Sequence, residues 1–428
     1  MRADGNAEAR DVAAAVARRS YGKLVAFLAA HTRDVAAAED ALSEAFAIAL
    51  ETWPDSGCPA NPEAWLLTVA RRRSIDMSRR RRKGEDVAMQ LRALIDELAE
   101  ADAEVPDRRL ALLFACAHPA LDPAVRAPLI LQVVLGLDAA AIAAAFLTSP
   151  SAMSKRLVRA KRKIRGAGIP FEVPQRDEWP ARLDAVLDAI YAAFAEGWTD
   201  PGGTDVARRD LTDEALYLAR LLVELLPHEA EALGLLALML HAHARRAARR
   251  SDGGEYVALA DQDPARWDAA MIGEAEDLLS RAGARGAIGR YQLEAALQSA
   301  HVHRCRTGAD NWSAVVQFYD ALLALTDSPV VALNRAIAIA RRDGAVAALA
   351  ILDQLANETA LAQYQPYWAA RADLLASVGA IADAHRAYDI AIGLERDAAV
   401  RAFLKRKQAA ADGDATASSR SPPGRPQA

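Results

Sequence analysis

"LDPAVRAPLILQVVLGLDAAAIAAAFLTSPSAMSKRLVRAKRKIR", residues 121–165, divides into three helical stretches with two breaks between them. The first stretch runs from about Asp122 to Leu135 and stops at Gly136; the second starts at Asp138 and places Ile142 and Phe146, four apart, on one face. The break "LTSP" follows. Ser149 suits an N-cap, and Pro150 takes the first helical position, where a missing N–H leaves no intrahelical bond unmade. Met153, Leu157, Ala160 and Ile164 then form an apolar stripe, which leaves Ser154, Lys155, Arg156, Arg159 and Lys163 outside it. This is a helix-turn-helix pattern whose third helix can enter a major groove and bring its first turns to base edges. The basic outer face is what separates it from an ordinary three-helix core.

Outward from this stretch, charge sorts the chain into parts. Residues 155–165 carry seven Lys or Arg and no acid, and residues 71–83, "RRRSIDMSRRRRK", carry eight and one Asp, in a chain whose formal net charge is -5. Two basic segments stand on an acidic body, as the electrostatic footprint of a polyanion site would. Composition sets the class. The chain has 428 residues, 52% hydrophobic and 25% charged, enough for two or three domains with their own cores. Alanine-rich runs such as "DVAAAEDALSEAFAIALETW" favour helix throughout, so the fold is expected to be all-α. Cys58, Cys116 and Cys305 are odd in number and widely spaced, which fits a reducing compartment and a cytoplasmic protein. No signal-peptide core or apolar run of membrane-spanning length occurs, so no membrane partner is expected.

The stretch from Gly136 to Arg165 resembles region 4 of the extracytoplasmic-function sigma factors, promoter-recognition subunits of bacterial RNA polymerase. The resemblance lies in Gly136, Leu137, Ile142, Ala143, Ser149, Arg156, Leu157, Arg159, Ala160, Lys161, Ile164 and Arg165, with Leu147 where the family's turn usually has glycine and Met153 where it has valine. The other basic segment fits the same family. "AEDALSEAF", with Ala38, Glu39, Asp40, Glu44 and Phe46, resembles the region 2 helix that packs on the polymerase. "AWLLTVARRRSIDMSRRRRK" resembles the region 2 helix that grips the minus-10 element. The resemblance implies core RNA polymerase and promoter DNA as partners. It places core contacts at Glu39, Asp40, Glu44 and Phe46, and minus-10 contacts at Trp65, Arg71, Arg72, Arg73, Asp76, Arg79 and Arg80. Minus-35 contacts fall at Ser151, Ala152, Ser154, Lys155, Arg156 and Arg159. Physics suits those roles: arginines bind phosphates with counterion release, and Trp65 offers an aromatic face, whether as a stacking platform or as core. Asp76 can instead pair within its helix with Arg72 or Arg80.

The expected organisation is sigma region 2 over 1–83, a linker over 84–107, region 4 over 108–169 and a Pro- and Gly-punctuated bridge over 170–180. A helical extension follows over 181–411, then a low-complexity, disordered tail over 412–428. In the extension, helix pairs turn at Gly344 and Gly379 with Ala348 and Ala384 at the contacts, a spacing similar to tetratricopeptide repeats. Such an array fits a peptide or protein partner, and the subgroup resemblance implies that the extension regulates the sigma domains. A fragment ending at Pro174 is expected to fold and bind polymerase alone. Enzymatic chemistry is not indicated. His241 and His243, or His301, His303 and Cys305, lie two apart and match no common zinc signature. Asp261 and Asp263 read as turn and N-cap residues, no phosphate-loop motif occurs, and neither a metal nor a cofactor is expected.

Overall fold

The computed structural model describes residues 2–79, 107–146, 148–175, 178–198 and 206–418, and these are helical with no strand among the described residues. The 84–106 part of the expected linker, Arg80, Leu147 and residues 419–428 lie outside them. The chain divides into two compact units, one holding the helices up to Leu225 and the other those from Ala230 onward.

The first unit begins with α1 (Arg2–Thr32), α2 (Val35–Ser56) and α3 (Pro62–Arg79). Arg33 turns the chain between α1 and α2 with φ 54, and Asp34 caps α2 by accepting from the Ala37 amide. Helix α2 stops where Gly57 takes φ 82, and Asn61 accepts from the Ala64 amide at the start of α3. These hairpins close over Leu24, Phe27, Leu28, Leu42, Trp53, Leu66 and Leu67, all buried.

Next come α4 (Arg109–Cys116), α5 (Pro123–Leu135), α6 (Ala139–Ala145) and α7 (Pro150–Gly166). The punctuation is as read from the residues: Asp122 caps α5, Gly136 ends it in the left-handed region at φ 75, Asp138 accepts from two amides of α6, and Ser149 accepts from the Ala152 amide. Met153, Leu157, Ala160 and Ile164 are buried as one stripe. Two further helices, α8 (Trp179–Trp198) and α9 (Val206–Leu225), belong to the same unit. Trp179 tilts against Phe114 with ring centroids 6.3 Å apart, and Arg182 donates to the Phe114 carbonyl. The compact unit therefore runs past residue 180, where the sequence reading starts the extension, because the apolar face of α8 covers α4 and α5.

The second unit starts with α10 (Ala230–Ala244), which is buried on nearly every side, followed by a connector of short 3-10 turns and α11 (Ala269–Gly283), α12 (Arg290–Thr307) and α13 (Trp312–Thr326). The Glu231 carboxylate accepts from the Tyr291 and Gln292 amides, so a side chain of α10 caps the open N-terminus of α12. Asp263 caps the turn at Pro264, as expected from the sequence, and Asp268, which the sequence reading did not single out, caps α11. Then follow α14 (Pro329–Asp343), α15 (Ala345–Gln354), α16 (Thr359–Ala362), α17 (Gln365–Ser377), α18 (Ile381–Leu394) and α19 (Ala398–Ser418). Gly344 and Gly379 turn the pairs α14–α15 and α17–α18 at φ 96 and 79, and Ala348 and Ala384 are fully buried. Helix α19 continues past Asp412 to Ser418, into the segment read as disordered, since its alanines sustain helix.

Candidate nucleic-acid interface

Helix α7 presents the sharper site. With its apolar stripe turned inward, Ser151, Ser154, Lys155, Arg156 and Arg159 are exposed and Ala152 is half-buried, so the six expected reader positions lie on the open side of a capped helix. Val158 and Arg162 also lie on that side, and Val158 is 44% exposed. Sequence reading passed over Val158 because an apolar residue looks like core. Its spacing from Ser154 and Lys155, four and three, was the available signal, and an apolar side chain there can meet a thymine methyl group.

Helix α3 is the second basic element, and its residues divide. Arg72 is exposed, whereas Arg71, expected on DNA, is buried; it follows Leu67 by four and so falls on the face that Leu66, Leu67 and Ala70 turn to the core. In this structure Arg71 therefore packs against that core rather than facing outward. Trp65 is half-buried and stands edge-on to Trp53, with ring centroids 5.3 Å apart, which ties it to the core on one side. Arg73, Asp76 and Arg79 lie on the last turns of α3, and Arg80 is outside the described residues.

On α2 the expected polymerase contacts also divide. Asp40 and Glu44 are exposed and Phe46 is half-buried. Leu50, at 43% exposure, extends that exposed face along the helix and was not anticipated. Glu39 is different. It is buried, and its carboxylate is ion-paired with the Lys161 ammonium of α7, so it is not a free polymerase contact in this structure. Burial holds its carboxyl above the usual range, Lys161 works the other way, and Asp40 adds to the rise. The phenol of half-buried Tyr21 and the buried Cys116 thiol nearby are pushed up as well, first by burial and then by Glu39.

Comparison with known proteins agrees with this geometry. Sigma-70 region 2 matches residues 16–84, and Sigma-70 region 4 matches residues 111–164. The chain belongs to the sigma-70 family. A family of unknown function (DUF6596) matches residues 182–283, an arrangement consistent with an extracytoplasmic-function sigma factor carrying a C-terminal extension. An uncharacterized protein of Rhizobium meliloti (strain 1021) is 38% identical over 382 residues, covering 87% of this chain and 89% of that protein. No solved structure matches. The sigma-70 regions give the chain a role in promoter recognition and transcription initiation, with core RNA polymerase and promoter DNA as partners. No helix of the described residues is long and apolar enough to cross a membrane, and no group of metal-ligating residues occurs among them.

Proposed function

We propose that the protein is an extracytoplasmic-function sigma factor of the cytoplasm, that it is not an enzyme, and that its C-terminal extension regulates it. The observation that carries this reading is α7: a helix capped by Ser149, anchored by four buried residues, and open along Ser151, Ser154, Lys155, Arg156 and Arg159. Lys155 and Arg156 frame or read the minus-35 element, while Arg72, Arg73, Asp76, Arg79 and Arg80 hold the minus-10 element. Asp40, Glu44 and Phe46 engage the polymerase. The helix pairs of the second unit act as tetratricopeptide-like hairpins that take a peptide or protein partner.

The test is transcription reconstituted from the purified chain, core polymerase and a genomic fragment library. Specific transcripts whose upstream sequences share two spaced elements support the reading, and their absence with active core enzyme overturns it. Regulation is tested with the same promoters and a chain ending at Leu226. Altered open-complex yield supports a regulatory extension, and an unchanged yield refutes it.

A further inference from the structure

In the second unit, the end of α10 and the second half of α12 gather positive charge that the fold does not neutralise. Arg245, the residue that follows α10, is 7% exposed. Its Nε donates to the His241 carbonyl at 3.1 Å and its Nη2 to Gln298 Oε1 at 2.5 Å, and both acceptors are uncharged. Among the described residues no carboxylate pairs with it: Glu276, beside His241, accepts from Ser299, and Asp397 holds Arg250. Burying a cation without a counter-ion is costly, and folded chains seldom leave one in that state. The guanidinium nevertheless stays charged, since burial and then Arg249 bring its pKa down only to about 10. Further donors stand around it. Asp268 donates its amide to the Ala244 carbonyl at 2.9 Å, which draws Trp267 to the end of α10. Trp267 packs with Ala244 and Ala248, is 5% exposed, and its indole N–H has no acceptor among the described residues. His301 tilts against that indole with ring centroids 6.1 Å apart. Its Nδ1 accepts from Arg304, so its proton sits on Nε2, 3.5 Å from Cys305 Sγ. Half-buried His301, Arg304 and Cys305 carry the cluster to the surface along α12.

We propose that Arg245, Trp267 and His301 form a binding site for a phosphoryl group, free or carried by a small monoester, entered past Arg304 and Cys305. The chemistry of the unpaired groups selects an anion, because a guanidinium and an indole offer donors and no acceptor. The planar fork of Arg245 can hold two oxygens of one group, and the Trp267 and His301 N–H groups approach from the connector and from α12. Charge selects phosphate over carboxylate. Arg249 and Arg304 add to the field at Arg245 and His301, and a dianion gains more from several cations than a monoanion does. The bound group would supply the counter-charge that Arg245 lacks within the fold. All of these residues belong to the second unit, so the site stands apart from the DNA- and polymerase-facing helices and does not depend on the sigma-factor reading.

Cys305 provides a local reporter in the full-length chain. Its alkylation by iodoacetamide is followed by peptide mass spectrometry as inorganic phosphate is raised, with potassium chloride holding ionic strength constant and half-buried Cys58 of the first unit as the internal control. Phosphate should slow labelling of Cys305 and leave Cys58 unchanged. Trp267→Phe keeps the ring and removes one donor, and Arg245→Lys keeps the charge and removes the fork. Each should raise the half-protecting phosphate concentration about tenfold, as the loss of one charge-assisted hydrogen bond does. Glycerol 3-phosphate protecting as well as inorganic phosphate assigns the site to monoesters, and its exclusion assigns it to the free ion. A variant that fails to fold labels Cys305 rapidly without phosphate, and the wild-type titration and the other variant then decide. Cys305 left unprotected in the wild-type chain, or protection that folded W267F and R245K both retain unchanged, overturns the site. Acetate protecting as well as phosphate overturns the choice of a phosphoryl group.

Discussion

Gly22 sits inside α1, where helix propensity favours alanine by about 1 kcal/mol. Here the close approach of α5 opposes that preference, because the added methyl would meet the Val134 carbonyl oxygen, which is backbone and cannot rotate away. Gly22→Ala is therefore expected to destabilise the first unit by about 1–3 kcal/mol, the usual cost of overpacking, in denaturant unfolding; a gain in stability would show that α1 and α5 do not meet this way. His241 makes the matching case in the second unit. It is fully buried, neither ring nitrogen has a hydrogen-bond partner, and burial, then Arg245 and Arg306, lower its pKa to about 4. Glu276 Oε1 is 3.5 Å away, but that carboxylate is 43% exposed and poorly placed to hold an imidazolium. A base whose folded pKa lies below its unfolded value stabilises fully above the unfolded value, near 6.5, and loses that stabilisation as pH falls toward 4. The slope approaches about 1.4 kcal/mol per pH unit for one group. His241→Leu should flatten the acid side of the unfolding profile of this unit, with part of the remaining slope due to His301, whose pKa burial also lowers to about 4. Neither position was legible in this sense from sequence. A glycine within a helix and a histidine two residues from another carry no local mark of the distant backbone or desolvation that determines their behaviour.

Among the elements, α7 was the most legible because its determinants are local. A serine one residue before a proline, an apolar stripe at spacings of four, three and four, and a basic remainder all act within the helix's seventeen residues and its cap. Ser149→Ala should remove the cap on the Ala152 amide and cost about 1 kcal/mol in the unfolding of the first unit, with the fold retained. In the role proposed for Lys155 and Arg156 on DNA, their replacement by alanine should cost about 1–3 kcal/mol at a bidentate base contact and relax preference at one promoter element. Binding to a panel of minus-35 variants checks this. A uniform loss across the panel assigns both side chains to phosphate and leaves Ser151, Ala152 and Ser154, with Val158, as the readers. Helices α2 and α3 were legible as elements and less so as surfaces. Arg71 and Glu39 are charged residues that sequence reading places outside, yet each lies on the inward side of its helix, and the partner that makes burial tolerable for Glu39 is far away in the chain.

At the scale of the whole molecule, family boundaries and packing boundaries fall in different places. The match to the family of unknown function begins at residue 182, whereas the first compact unit continues to Leu225, so α8 and α9 match that family or its flank in sequence and fold with the sigma regions. The sequence showed a proline- and glycine-marked bridge before Trp179 and nothing to say that the next helix returns to cover α5. Helix α8 buries Leu183, Val186, Leu187, Ile190 and Phe194, and each such side chain stabilises by about 1.5–3 kcal/mol when fully buried. Even a fraction of that sum is comparable to the entire stability of a domain, about 5–15 kcal/mol. A chain ending at Pro174 removes α8 and α9 together, strips Trp179 from Phe114 and leaves the Phe114 carbonyl without the Arg182 guanidinium. This fragment, which sequence alone suggested would fold, is now expected to lose cooperative unfolding and to bind a hydrophobic dye. A chain ending at Leu226 keeps the whole unit and should unfold in one cooperative transition and bind core polymerase. Calorimetry and dye binding on the two fragments side by side decide the matter: equal cooperativity would mean that α8 and α9 are passengers on the sigma regions, and a folded Leu226 fragment beside a molten Pro174 fragment would make them part of the sigma fold itself.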